Sequence, residues 1–355
     1  MTKTESLAAL LPEKIDAALV SSEAARRYFT AFPASDGYLV VMRDRAVFFT
    51  DSRYTEAAEK VIRDIPVVLQ KDFPKQLKAL LNENNARNIG VENATMTLSE
   101  SQKLAEAMPE IELVTDGILS DAISSLRMVK SREEIECIKT AQAIAEDAFE
   151  YILGKIEYGK TEKQLALELD FYMLSHGAEA VSFETIAVSG ENSSLPHGVP
   201  GNRKIQKGDF ITFDFGAVYN GYHSDMTRTI AVGQASDEMR TVYNVVLEAQ
   251  RRALDSLCEG ISGIDADKAA RDVIDKAGYG DYFGHGTGHG VGIEIHEGPN
   301  LSPKSKNILK SGNVITVEPG IYLPGKFGVR IEDMAVITKN GCENLTNCPK
   351  ELIIL

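Results

Sequence analysis

Cysteine is scarce in this chain, and no two cysteines form a CxxC pair: Cys137, Cys258, Cys342 and Cys348 are the only four in 355 residues. That excludes a disulfide framework and suits free thiols in a reducing compartment. Long apolar runs are missing too. None approaches the ~18–20 residues that a membrane span needs. The opening MTKTESLAALLPEKID lacks the apolar core and cleavage site of a secretory leader. The expected setting is the cytoplasm. Basic charge is in deficit: 38 lysines and arginines face 52 aspartates and glutamates, for a formal net charge of −14. This argues against nucleic acid or an anionic membrane as the main partner. There is no GxGxxG and no HExxH, so a dinucleotide fold and a zincin helix are both set aside.

What is present divides in two. Up to about residue 120, short strands (DAALV, YLVVM, AVFFTD, VVLQ, NIGVE, EIELV) alternate with helices (SSEAARRYFT, YTEAAEKVIR, PKQLKALLNEN, SESQKLAEAM). Such alternation predicts an α/β domain. Ser131 and Glu134 form a capping box at the head of a long helical pattern. A boundary is expected near 120–131, giving domains over 1–125 and 126–355. The second domain reads as α+β, with helices near 132–157, 161–177, 237–258 and 264–277 among strands.

The stretch DFGAVYNGYHSD (214–225) carries two aspartates inside an apolar hairpin. Asn220-Gly221 predicts a two-residue type I′ turn. Taken literally, 219 then pairs with 222, 216 with 225 and 214 with 227. Asp214, Gly216 and Asp225 would share one face. The two carboxylates would be diagonal neighbours, Cα atoms ~7–8 Å apart. Gly216 would leave space beside Asp225. Carboxylates this close among apolar neighbours repel each other and suffer desolvation, which a cation relieves best.

KGDFITFDFGA (207–217) aligns without gaps on SGNVITVEPGI (311–321). Gly208 matches Gly312, Asp214 matches Glu318 and Gly216 matches Gly320. Further on, SDM (224–226) has a counterpart in EDM (332–334), after a loop four residues longer. Two similar strand-turn-strand units, each with two carboxylates, predict an internal pseudo-two-fold. Glu332 joins Glu318 in the second unit, with Arg330 two residues before it as a partner for a ligating carboxylate.

Histidine is rare, six in all, yet His285, His289 and His296 fall within GHGTGHGVGIEIHEGP, and His197 lies in the loop SSLPHGVPG. Four carboxylates with an imidazole make a hard, oxygen-rich donor set. It favours Mn²⁺, with Co²⁺ and Zn²⁺ as substitutes. Two divalent ions would balance four carboxylates and activate a bridging water at neutral pH. By this chemistry alone, amide and phosphoester hydrolysis stay equally open.

These residues resemble the pita-bread metallopeptidases, which include aminopeptidase P, prolidase, creatinase and methionine aminopeptidase. Asp214, Asp225, His289, Glu318 and Glu332 match the five metal ligands of that family in order and context. FTDSRY (49–54) and LRMVKSREEIECIK (126–139) resemble the N-terminal domain of creatinase, prolidase and aminopeptidase P and the entry to the catalytic domain. The resemblance implies a pita-bread catalytic domain after an α/β domain, a homodimer, and cleavage between an N-terminal residue and a following proline. It implies that Glu318 is both ligand and general acid/base. His197 and His296 would contact substrate and stabilise the tetrahedral intermediate or leaving group. His285 would line the substrate pocket, and Arg330, counted with it on the substrate side, would support the ligand shell. Prolidases often carry an arginine shortly after the position of His296, where this chain has Asn300. The reading is therefore a Xaa-Pro aminopeptidase first and a Xaa-Pro dipeptidase (prolidase) second. A metal-free pita-bread binding protein stands well behind both.

Overall fold

A computed structural model describes all 355 residues. Contacts divide the chain into two compact units, Met1–Arg127 and Met128–Leu355. The expected boundary at 125/126 falls inside a helix, Ile118–Met128, which the sequence pattern does not announce.

In the first unit, strands β1 (Ala17–Val20), β2 (Tyr38–Met42), β3 (Ala46–Thr50), β4 (Val67–Leu69), β5 (Asn88–Val91) and β6 (Glu112–Val114) form one sheet. Their order is β4-β3-β2-β1-β5-β6. β1 and β2 are buried nearly end to end, as their unbroken apolar runs require. A helix at Lys3–Leu10 was not expected. It is started by a capping box between Thr2 and Glu5.

The second unit carries strands β7 (Ala180–Val181), β8 (Ile186–Ser189), β9 (Phe210–Phe215), β10 (Ala217–Tyr219), β11 (Tyr222–His223) and β12 (Met226–Ala231). Its second half adds β13 (Gly288–Gly290), β14 (Glu297–Leu301), β15 (Val314–Val317), β16 (Gly320–Leu323), β17 (Phe327–Arg330), β18 (Asp333–Thr338) and β19 (Gly341–Asn344). Each half is backed by a helix pair. Helices Arg132–Leu153 and Glu162–Ser175 share a core with β9 and β12. Helices Asp237–Ser256 and Gly263–Lys276 share one with β15, β16, β17 and β18. Ser131, Thr161, Ser236 and Ser262 cap the four helices with their hydroxyls. The first helix buries Ile138, Ala141, Ala145, Phe149 and Ile152, one stripe at helical spacing. Phe149 packs edge-on to Phe213 and parallel to Phe215. Burial of each such large side chain contributes about 1.5–3 kcal/mol.

The aspartate hairpin keeps the literal register throughout. Tyr219 pairs with Tyr222, Val218 with His223, Phe215 with Met226 and Asp214 with Thr227. Asn220 and Gly221 have φ of 48° and 83°, the left-handed pair that a type I′ turn requires. Gly216 does not open space beside Asp225, contrary to expectation. A Cβ there would lie 1.9 Å from the Ser224 carbonyl oxygen. The missing side chain admits the backbone of the return strand.

The internal repeat is real in backbone detail. Gly208 and Gly312 have φ of 90° and 88°. One residue on, the side chains of Asp209 and Asn313 accept from the amides of Gln206 and Lys310. The SDM/EDM match is not kept. Met226 pairs with Phe215, but Met334 pairs with Thr316, which matches Thr212. Register therefore equates Glu332 with Thr227 and Asp333 with Arg228. The second hairpin closes through three residues between Leu323 and Phe327, one more than the first. The added residue shifts the return strand.

Candidate active site

All ten sequence-selected positions, counting Asn300, line one cavity of about 820 Å³ in the second unit. Asp225, His289 and Glu332 offer donor atoms that lie within 4.8 Å of one another. His289 Nε2 is 3.4 Å from Glu318 Oε1 and 3.6 Å from Asp225 Oδ2. Thr227 donates to Glu332 Oε2 at 2.6 Å, and Thr316 donates to Glu318 Oε1 at 3.2 Å. Arg330 Nη2 donates to Asp214 Oδ2. The other oxygens of Asp214 and Glu332, Oδ1 and Oε1, are buried without a partner.

Such an arrangement is unstable without positive charge at its centre. His289 Nδ1 faces the Gly290 carbonyl oxygen at 3.1 Å, so Nδ1 carries the proton. Burial lowers the His289 pKa and keeps the ring neutral. A lone pair on Nε2 then faces two carboxylates. Burial, followed by the charges of Glu332, Asp214 and Glu318, pushes the Asp225 carboxyl far above its ordinary range. Burial, then Glu318 and Asp214, does the same to Glu332. Glu318 is pushed up to about 7 by burial, against the pull of Arg330. Orphaned oxygens, an inward lone pair and carboxyls hard to ionise are the marks of a cation site. Asp214, Asp225, His289, Glu318 and Glu332 thus fit divalent ions by their own chemistry.

Beside this cluster runs a second chain of contacts. Arg330 Nη1 donates to Tyr322 Oη at 2.9 Å and to the Pro196 carbonyl at 3.2 Å, and Nε donates to Thr227 Oγ1 at 3.0 Å. The Tyr322 hydroxyl in turn reaches His285 Nε2 at 2.9 Å. His285 Nδ1 donates to the Gly286 carbonyl at 2.8 Å. Burial, aided by the charges of Arg330, His197 and Arg271, pushes His285 down to about 4. His296 packs edge-on to His289, ring centres 4.4 Å apart. His197 stands exposed on its loop. His223 bonds Ser182 and His176 stacks on Tyr172, away from the cavity lining.

Two buried carboxylates hold the histidine loops. Glu162 accepts from Ser189 N and Oγ, Asn192 Nδ2 and Gly201 N, bracketing the segment that carries His197. Asp267 pairs with Arg271 through two bonds and accepts from Thr287 N and Oγ1. Arg271 also donates to the carbonyls of Phe283 and His285. Sequence reasoning missed Tyr322, Thr227, Glu162 and Asp267. Thr316 alone left a signal, as the match of Thr212 in the repeat.

Known proteins share both units. Residues 136–339 match the model of metallopeptidase family M24, and residues 6–129 match the creatinase/prolidase N-terminal domain. The uncharacterized peptidase YqhT of Bacillus subtilis is 45% identical over 342 residues, 96% of either chain. A Xaa-Pro dipeptidase structure from Bacillus anthracis is 43% identical, with a TM-score of 0.96 and 99% of either chain covered. An X-Pro aminopeptidase structure from Thermotoga maritima is 38% identical, with a TM-score of 0.92, covering 99% of this chain and 100% of that one.

Proposed function

Since the chain belongs to metallopeptidase family M24, with a pita-bread catalytic unit, we propose that it is a Xaa-Pro aminopeptidase, hydrolysing the bond between an N-terminal residue and a following proline. One observation favours it over a strict dipeptidase. The cavity lining holds no free cation for a dipeptide's carboxylate. Arg330 is its only lysine or arginine, and that guanidinium is bonded to Asp214, Thr227, Tyr322 and the Pro196 carbonyl. Asn300 lines the same cavity and is neutral. Xaa-Pro dipeptidase is the second reading, supported by 43% identity to the Xaa-Pro dipeptidase from Bacillus anthracis.

In this reading Asp214, Asp225, His289, Glu318 and Glu332 hold two divalent ions. When bound, such ions bring the pKa of water near neutrality and polarise a carbonyl oxygen. Glu318 takes the proton from the attacking water on a carboxylate oxygen and passes it toward the proline nitrogen. His197 and His296 donate hydrogen bonds to the carbonyl oxygen as it gains charge. His285 lines the pocket with Tyr322. Arg330 orients Asp214, and its full set of partners suits that role better than contact with substrate. Mn²⁺ as working ion rests on the oxygen-rich donors. A homodimer rests on resemblance, and a cytoplasmic setting on four unpaired thiols. No helix is long and apolar enough to cross a membrane. Residues 1–125 and 126–355 act here as N-terminal and catalytic domains.

The test is release of alanine by metal-stripped protein, with and without Mn²⁺, from Ala-Pro and Ala-Pro-Ala. Mn²⁺-dependent release, faster from the tripeptide, is expected. Faster release from Ala-Pro would favour the dipeptidase. No release from either, with Mn²⁺ or Co²⁺, would contradict both.

A further inference from the structure

The cavity lining contains one acidic side chain that has no partner. Glu184 is exposed, lines the cavity, and makes no hydrogen bond or ion pair. Its place is nonetheless fixed by its neighbours. Two residues before it, Ser182 is buried, donates its amide to the Gly216 carbonyl at 2.8 Å and bonds His223 Nδ1 at 2.8 Å. On its other side, Thr185 is buried and donates to Asp170 Oδ1 at 2.5 Å. The backbone at Glu184 is therefore anchored at a set point of the cavity wall, and its unpartnered side chain projects from that point.

Its position relative to substrate follows from the reaction class. An enzyme that removes one N-terminal residue needs no exit for the amino end of its substrate. The chain beyond the scissile bond must leave through the open side. The five candidate metal ligands are buried or half-buried, whereas Glu184 is among the exposed lining residues. The other exposed lining groups, His197, Val199, Gly284, His296 and Asn300, include no carboxylate and no lysine or arginine. A negative charge at the mouth acts on whatever charge follows the proline, with no lysine or arginine among the exposed lining groups to cancel it.

We propose that Glu184 sets a charge preference for the residue after proline, favouring a basic side chain and disfavouring a carboxylate. This rests on the Xaa-Pro reading above. A proline that ends the chain presents its own carboxylate near the same wall, which is a second reason for dipeptides to be the poorer substrates.

The test uses the Mn²⁺-loaded full chain and three C-terminally amidated peptides, Ala-Pro-Lys, Ala-Pro-Gln and Ala-Pro-Glu. Attraction and repulsion together give the lysine peptide roughly a tenfold higher kcat/KM than the glutamate peptide. Glu184→Gln brings that ratio toward one, and Glu184→Lys inverts it. High salt shrinks the wild-type ratio. An unchanged ratio in Glu184→Lys that still cleaves Ala-Pro-Gln overturns the assignment and leaves the peptidase reading intact. Failure of the wild type to cleave any of the three overturns both.

Discussion

Arg228 and Asp333 stand at matched positions of the two hairpin repeats and bond to each other, Nη2 to Oδ1, at 2.8 Å. Arg228 is 1% exposed and uses all five of its N–H groups. Beyond Asp333 it donates to the carbonyls of Thr227 and Glu332 and to those of Cys348 and Pro349. It therefore ties the backbone of a candidate metal ligand to the C-terminal segment. Gln250, Asn344 and Lys350 also donate to Asp333. Arg228→Met leaves carbonyls and a carboxylate buried with fewer partners. A loss of about 3–5 kcal/mol is expected in urea unfolding. Arg251→Met, which breaks the exposed pair with Glu351, should change stability by less than about 1 kcal/mol. Equal effects of the two would contradict the structural role of Arg228.

Gly216 gives a second prediction. The Cβ of an alanine would meet Ser224 O at 1.9 Å and Ser224 C at 2.7 Å, both backbone atoms of the same hairpin. Backbone cannot rotate away as a side chain can, so the strands must part beside Asp225. Gly216→Ala should destabilise by at least about 1–3 kcal/mol and weaken Mn²⁺ binding. Gly341→Ala, where nothing lies within 4 Å of the new Cβ, is the control and should leave Mn²⁺ binding unchanged. Thermal unfolding and Mn²⁺ titration check both.

Much of this hairpin was legible because local rules decide it. Asn-Gly specifies the turn, and the turn specifies the register. The repeat was legible in β9 and β15 because Gly208 and Gly312 fill backbone positions that other residues rarely adopt. The return strands were not, because one added turn residue shifts register without leaving a pattern in composition. Arg228, Glu162 and Asp267 were invisible for another reason. Arg228 meets Asp333 and Cys348 more than a hundred residues away. A lone charged residue in a strand or helix reads as solvated until its distant partners are known. Tyr322 likewise matters only through His285 and Arg330.

His285 makes stability depend on pH. Its pKa is pushed down to about 4 in the folded chain, mainly by burial, against an ordinary value near 6.5. Between these values the unfolded chain binds more protons, so stability present above pH ~6.5 is lost as pH falls toward ~4. The full span is worth about 3 kcal/mol. His285→Gln cannot titrate. Its urea midpoint should fall less than that of the wild type between neutral pH and pH ~4. Parallel pH profiles of the two proteins would contradict the assignment.

The central claim is that Asp214, Asp225, His289, Glu318 and Glu332 hold a pair of divalent ions. Equilibrium dialysis of metal-stripped protein against Mn²⁺, followed by elemental analysis, tests it without reference to any substrate. Two ions per chain are expected for the wild type, and fewer for Asp225→Asn while circular dichroism still shows a folded chain. No more than stray metal in the wild type, or full retention of both ions by Asp225→Asn, would contradict it.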